Sequence, residues 1–129
     1  MTETNGIITS LVGKDYVDNV SSRFPRLKPN AQPTSVGYPS PIVDIRIVDP
    51  ETRQEVPRGK TGLVICRGSM VMKEYVGNPE ATAESLDKDG WFNTGDLAMQ
   101  NAQGWIFIQD RAKDMIIRGG ENVSCTITV

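Results

Sequence analysis

Histidine is missing altogether from this 129-residue chain. Its absence removes Ser-His and Cys-His nucleophilic pairs from within the chain, together with the commonest transition-metal ligand. Any metal would have to be a hard cation held by carboxylates. Cysteine is scarce: Cys66 lies in an apolar run and Cys125 near the end, with neither metal-ligand spacing nor a disulfide framework between them. A reduced, intracellular setting fits this usage, cytoplasmic by expectation, with a peroxisome or another organelle left open. No apolar run approaches the roughly 18 residues of a membrane span, and Met1-Thr2-Glu3-Thr4-Asn5 has neither the basic start nor the apolar core of a leader. Charge of one sign is not in excess either, with 14 basic against 16 acidic side chains and a formal net charge of -2. Neither nucleic acid nor anionic membrane is implied. The single Arg118-Gly119-Gly120 follows Ile116-Ile117 and lacks the repetition and aromatic interleaving that RNA binding needs.

What is present fits one domain or a piece of a larger one. Ile7 to Val12 is short, apolar and partly β-branched, as a strand end would be, and residues 18–41 read as a long irregular connection rich in Pro, Ser and Asn. From Pro41 the pattern becomes regular. Val43, Ile45 and Ile47 alternate with Asp44 and Arg46, which predicts a half-buried strand, and Leu63-Val64-Ile65-Cys66 predicts a fully buried one ending at Gly68. Asn78-Pro79-Glu80 has the cap, the N1 proline and the early acid of a helix start, and Asp89-Gly90 stops that helix after Leu86. Asn101-Ala102-Gln103-Gly104 joins Leu97–Gln100 to Trp105–Ile108 as a four-residue hairpin loop. Trp105 and Phe107 share one face of the returning strand, an aromatic stripe expected in the core. Met115-Ile116-Ile117 predicts one more short strand, left uncovered at the end of the chain.

The polar stretch Asp89-Gly90-Trp91-Phe92-Asn93-Thr94-Gly95-Asp96 and the later Asp110-Arg111 lie on either side of that hairpin, so the two can meet. A Thr94-Gly95-Asp96 turn offers a hydroxyl, a close backbone approach and a carboxylate acceptor, and Arg111 offers a fixed fork of donors. Such a set could hold the sugar of a nucleotide. The residues alone favour the plainer reading, a surface ion pair of little consequence.

Taken in order, Gly62-Leu63-Val64-Ile65-Cys66-Arg67-Gly68, Asn78-Pro79-Glu80-Ala81-Thr82, Asp89 to Leu97 and Asp110 to Asn122 resemble the AMP-binding, adenylate-forming superfamily, with the acyl-CoA synthetases nearest. The resemblance covers about residues 36 to 125, and reaches Met1-Thr2-Glu3 if these are the tail of the family's Tyr-Gly-x-Thr-Glu segment. It implies an α+β, mostly β fold: a distorted β-barrel-like subdomain with an irregular N-terminal segment and the first strand of a truncated C-terminal domain. The expected division is 1–35 as the tail of a large nucleotide-binding region, 36–110 as the β-rich subdomain, and 111–129 as hinge and start of a small domain. The implied activity is ATP-dependent activation of a carboxylic acid, expected to be a fatty acid, as an acyl-adenylate and its transfer to coenzyme A.

Residue by residue, the resemblance implies that Thr2 touches phosphate and that Glu3 helps hold Mg²⁺. Asp96 would accept from the ribose hydroxyls, and Arg111 would contact the same ribose. Lys113 would be the hinge of the small domain, and Gly119 and Gly120 would line the pantetheine path of coenzyme A, or form a plain turn. The departures are Leu63 where many members have Glu, Glu74 where Gly usually precedes the Tyr75 position, and Ile117 where some CoA ligases place Lys. After Cys125 the expected Ala-Glu-Ile-Glu is replaced by Thr126-Ile127-Thr128-Val129. No Gly-, Ser- and Thr-rich phosphate loop with its Lys is present, nor the C-terminal catalytic lysine, so the chain alone is expected to be inactive. The alternative expectation is a non-catalytic, truncated β-rich product that binds nucleotide weakly, or a protein partner through uncovered core surface.

Overall fold

The computed structural model describes residues 2–5, 8–10, 35–118 and 121–124. Ile7, Leu11, Val12, Gly119, Gly120, Cys125 and most of the 18–41 connection lie outside the described residues. Two short strands, β1 (Thr9–Ser10) and β2 (Tyr38–Pro39), pair with each other. The main sheet contains β3 (Asp44–Val48), β4 (Gly62–Arg67), β5 (Phe92–Gln100) and β6 (Ile106–Arg111), antiparallel and in chain order. A helix, α1 (Pro79–Ser85), precedes β5, and a hairpin of β7 (Met115–Arg118) and β8 (Glu121–Ser124) follows β6. The mostly β expectation is borne out, with a sheet that stays open rather than closing into a barrel among the described residues. The expected lone strand at Met115 differs, because β8 pairs with it along all four residues.

β4 is the centre of the core. Leu63, Val64, Ile65 and Cys66 are all buried, and because side chains alternate across a strand they serve both faces of the sheet. Leu63 and Ile65 pack with Val48, Trp91 and Leu97 on one face. Val64 packs with Ile47, Ala98 and Ile106, and Cys66 with Val43 and Phe92, on the other. Each large aliphatic side chain so buried contributes about 2 kcal/mol. β3 is apolar on both faces at its end, since Val48 is buried beside Leu63, so it is less one-sided than its alternation suggests. On the Leu63 face the buried Trp91 ring carries two guanidinium groups, Arg46 at 4.5 Å and Arg67 at 4.6 Å from its centroid, which is cation–π geometry.

The aromatic stripe on β6 is corrected. Ile106 is the core residue of that strand at 1% exposure, whereas Trp105 and Phe107 are only half-buried. The edge of β6 is covered by residues 35–37 through Gly37–Ile106 pairing and Ser35 Oγ, which donates to the Ile106 carbonyl. Trp105 therefore lies over this rim, its Nε1 donating to the Tyr38 hydroxyl and its ring meeting Tyr38 edge to face.

Cys66 is fully buried, and burial pushes its thiol from 9.0 up to about 11. The folded value exceeds the unfolded one, so its contribution is complete below pH 9 and is lost as the pH rises from about 9 to 11. On the order of 2 kcal/mol should disappear over that window. Urea unfolding of wild type and Cys66→Ala at pH 8 and pH 11 checks this: the pH-dependent loss should be smaller in the variant.

Candidate functional site

The strand β5 runs longer than the sequence suggests, and this difference builds the site. Thr94-Gly95-Asp96 is a bulge inside β5 and no turn. Asn93 opposes Ile65 and Leu97 opposes Leu63, so Thr94, Gly95 and Asp96 face the single residue Val64. Local hydrogen bonds hold the extra residues. Thr94 Oγ1 donates to the Val64 carbonyl at 2.8 Å and accepts from the Asp96 amide at 3.2 Å, while Asn93 Oδ1 accepts from the Gly95 amide at 2.9 Å. Gly95 has φ +75, a conformation that a side chain disfavours.

An unbroken strand would send alternate residues to opposite faces. The bulge instead lets Asn93, Thr94, Gly95 and Asp96 all line one cavity of about 630 Å³. Its other walls are Glu3, Tyr75, Ser85, Phe92 and Arg111. Asp96 lies opposite Arg111 in the β5–β6 register, and Arg111 Nε reaches Asp96 Oδ1 at 3.1 Å. The Asp96 side chain is 25% exposed and that of Arg111 56%, so the pair is open at the cavity mouth and contributes under about 1 kcal/mol to stability.

Glu3 arrives from the far end of the chain. Residues 2–4 form a 3-10 turn that is fastened to the loop before α1. The Met72 amide donates to the Glu3 carbonyl at 2.6 Å, Asn5 Nδ2 donates to the Met70 carbonyl at 3.1 Å, and the Tyr75 hydroxyl donates to Glu3 Oε1 at 3.1 Å. Tyr75 itself is anchored to the start of α1. Its amide donates to Thr82 Oγ1, its carbonyl accepts from the Asn78 amide, and Asn78 caps the helix by accepting from the Ala81 amide.

Of the residues predicted from sequence, Glu3, Asp96 and Arg111 meet around one cavity. Thr2 lies next to Glu3 in the same turn, and Lys113 is exposed in the 3-10 turn Ala112–Asp114 between β6 and β7, outside the cavity lining. Gly119 and Gly120 lie outside the described residues. Tyr75, Ser85 and Asn93 were not legible as site residues: the bulge brings in Asn93, Tyr75 meets the docked N-terminal turn from the start of α1, and Ser85 lines the cavity from the end of that helix.

A polar cavity with a carboxylate and a guanidinium at its mouth suits a polyhydroxylated ligand such as a ribose. Among the described residues no three His, Cys, Asp or Glu side chains cluster to enclose a metal. Glu3 is a single hard oxygen donor, which fits Mg²⁺ shared with a bound phosphate rather than an all-protein cage. Among the described residues no helix is long and apolar enough to cross a membrane.

The chain is 48% identical over 89 residues to a feruloyl-CoA synthase of Amycolatopsis sp, covering 69% of this chain and 18% of that protein. The structure of unliganded O-succinylbenzoate coenzyme A synthetase from Bacillus subtilis superposes with a TM-score of 0.75 at 30% identity, over 98% of this chain and 24% of that one. ATP-bound MatB from Rhodopseudomonas palustris superposes with a TM-score of 0.66 at 41% identity, over 74% and 19%. The chain thus spans about a fifth of the length of the curated relatives it matches. Residues 1–76 match the family described as AMP-binding enzyme, and the chain belongs to that family.

Proposed function

We propose that this chain supplies the ribose side and the cation-holding carboxylate of the nucleotide site in an AMP-forming acid–thiol ligase. In the first half-reaction a carboxylate oxygen attacks the α-phosphorus of ATP, the acyl-adenylate forms and pyrophosphate leaves. In the second, the thiol of coenzyme A attacks the acyl carbon, loses its proton, and displaces AMP. Both steps depend on positioning and charge neutralisation more than on a protein nucleophile, so a stretch without histidine can take part.

The observation that carries this reading is the Asp96–Arg111 pair at 3.1 Å on the wall of a cavity that Glu3 also lines. Asp96 accepts from the ribose hydroxyls and Arg111 donates to the same sugar. Glu3 gives one oxygen to Mg²⁺, with Thr2 beside it at the phosphate. Bound Mg²⁺ withdraws charge from the phosphates. Lys113, between the main sheet and the β7–β8 hairpin, serves as the pivot between half-reactions, and Gly119 and Gly120 give the pantetheine arm a close backbone approach. Residues 1–35, 36–110 and 111–129 act as tail, nucleotide-facing sheet and hinge region of the larger enzyme. The acid is fatty or aromatic, and the feruloyl-CoA and O-succinylbenzoate names of the relatives support an aromatic one.

The 129-residue sequence holds no Gly-, Ser- and Thr-rich phosphate loop with its lysine, so it is expected to bind AMP without making an adenylate. Calorimetry should detect AMP binding to the purified chain, and ATP–pyrophosphate exchange should stay at background. Exchange above background would overturn the inactivity. Absence of AMP binding would overturn the ribose site and favour a chain that only associates with a protein partner.

A further inference from the structure

We propose that Tyr75 is a positioning residue for Glu3, setting the carboxylate in the nucleotide cavity so that it can share Mg²⁺ with a bound triphosphate; this rests on the nucleotide reading of the cavity. Glu3 has no strand or helix of its own to fix it, being held in a single 3-10 turn. Its backbone is fastened by the Met72 amide, but that bond leaves the side-chain torsions open. The Tyr75 hydroxyl donates to the carboxylate itself, at 3.1 Å from Oε1, and so adds a restraint on the side chain. Both side chains line the same cavity as Asp96 and Arg111.

Tyr75 suits this task because its own position is determined elsewhere. Hydrogen bonds at its amide and carbonyl tie it to Thr82 and Asn78 at the start of α1. The phenol is rigid and spans from the helix start to the N-terminal turn, 72 residues away in sequence. A carboxylate has several acceptor positions, so one phenolic donor restrains its orientation without consuming its capacity for a cation. As a neutral donor, tyrosine also leaves the carboxylate its full charge, which a lysine at the same point would offset.

The test compares ATP affinity in Mg²⁺ with ATP affinity in EDTA for the 129-residue chain. Tyr75→Phe, which removes only the hydroxyl, should cut the Mg²⁺-dependent gain about tenfold or more, the scale of one hydrogen bond to a charged group, and leave affinity in EDTA unchanged. In a Glu3→Gln background the same change should have no further effect. An equal loss in EDTA, no loss at all, or an additive loss with Glu3→Gln would each overturn the proposal. If wild type binds no ATP, the nucleotide reading fails, and hydrogen exchange at the Met72 amide without nucleotide judges Tyr75 separately. Faster exchange in Tyr75→Phe supports its hold on the Glu3 turn, and unchanged exchange overturns it.

Discussion

Asp96→Ala is expected to weaken AMP binding about a hundredfold. The side chain would accept from two ribose hydroxyls, and hydrogen bonds to a charged group contribute about 1.5 kcal/mol or more each, so two account for about 3 kcal/mol. The fold should barely notice the change, because the pair with Arg111 is open at the cavity mouth and the bulge is held by Asn93, Thr94 and Val64 rather than by the carboxylate. Asp96→Asn keeps one acceptor and should lose about tenfold. Calorimetric titration with AMP, beside thermal melts of each variant, reads both quantities. Affinities of Asp96→Ala and wild type within about threefold, a difference of less than 1 kcal/mol, would remove Asp96 from the ribose site.

The second large effect belongs to the core. A methyl group placed on Gly62 would lie 2.7 Å from the Val48 carbonyl oxygen and 2.9 Å from Ile47 Cγ2, both on the strand to which β4 is paired. Backbone cannot yield as a flexible side chain can, so Gly62→Ala forces β3 and β4 apart at their buried end. The expected cost is about 3 kcal/mol, which lowers Tm by about 10–20 °C. Gly59→Ala is the control. Its φ of +88 strains a side chain, but nothing lies within 4 Å of the added carbon, and about 1 kcal/mol is expected. Equal stability of the two variants in urea would show that β3 and β4 can relax around the methyl.

Much of the fold follows from local rules that the sequence displays. Asn78 and Pro79 announce α1 by a cap and a preset φ, and the helix runs Pro79–Ser85. Asn101 to Gly104 form the expected loop, closed by Asn101 Oδ1 accepting from the Gln103 and Trp105 amides. The Leu63–Cys66 run is buried throughout. What local rules misread is the continuation of β5 through Gly95. A glycine between Thr and Asp is ordinary turn chemistry, and only Val64 on the neighbouring strand converts it into a bulge.

The site was legible in part for the same reason. Asp96 and Arg111 stand on one hairpin, so their meeting follows from strand register alone. Glu3 could be placed by its motif but not by its surroundings, since Met72 and Tyr75 are distant in the chain and nothing in their neighbours' spacing points to it. Trp105 was misplaced because alternation identifies a face without saying what covers it. Here that face meets Tyr38 at the sheet rim.

The fastening of the first residues to the loop before α1 has a kinetic consequence. Strands β3 to β6 each pair with the next in sequence, so the sheet can zip through short closures. The Tyr75–Glu3 contact closes 72 residues, and closure entropy rises with the length enclosed. Long-range contacts of this kind tend to form after local ones and to open before them. The Asp96–Arg111 wall of the cavity would then be complete early in folding, and the Glu3 wall would join it late and leave it first.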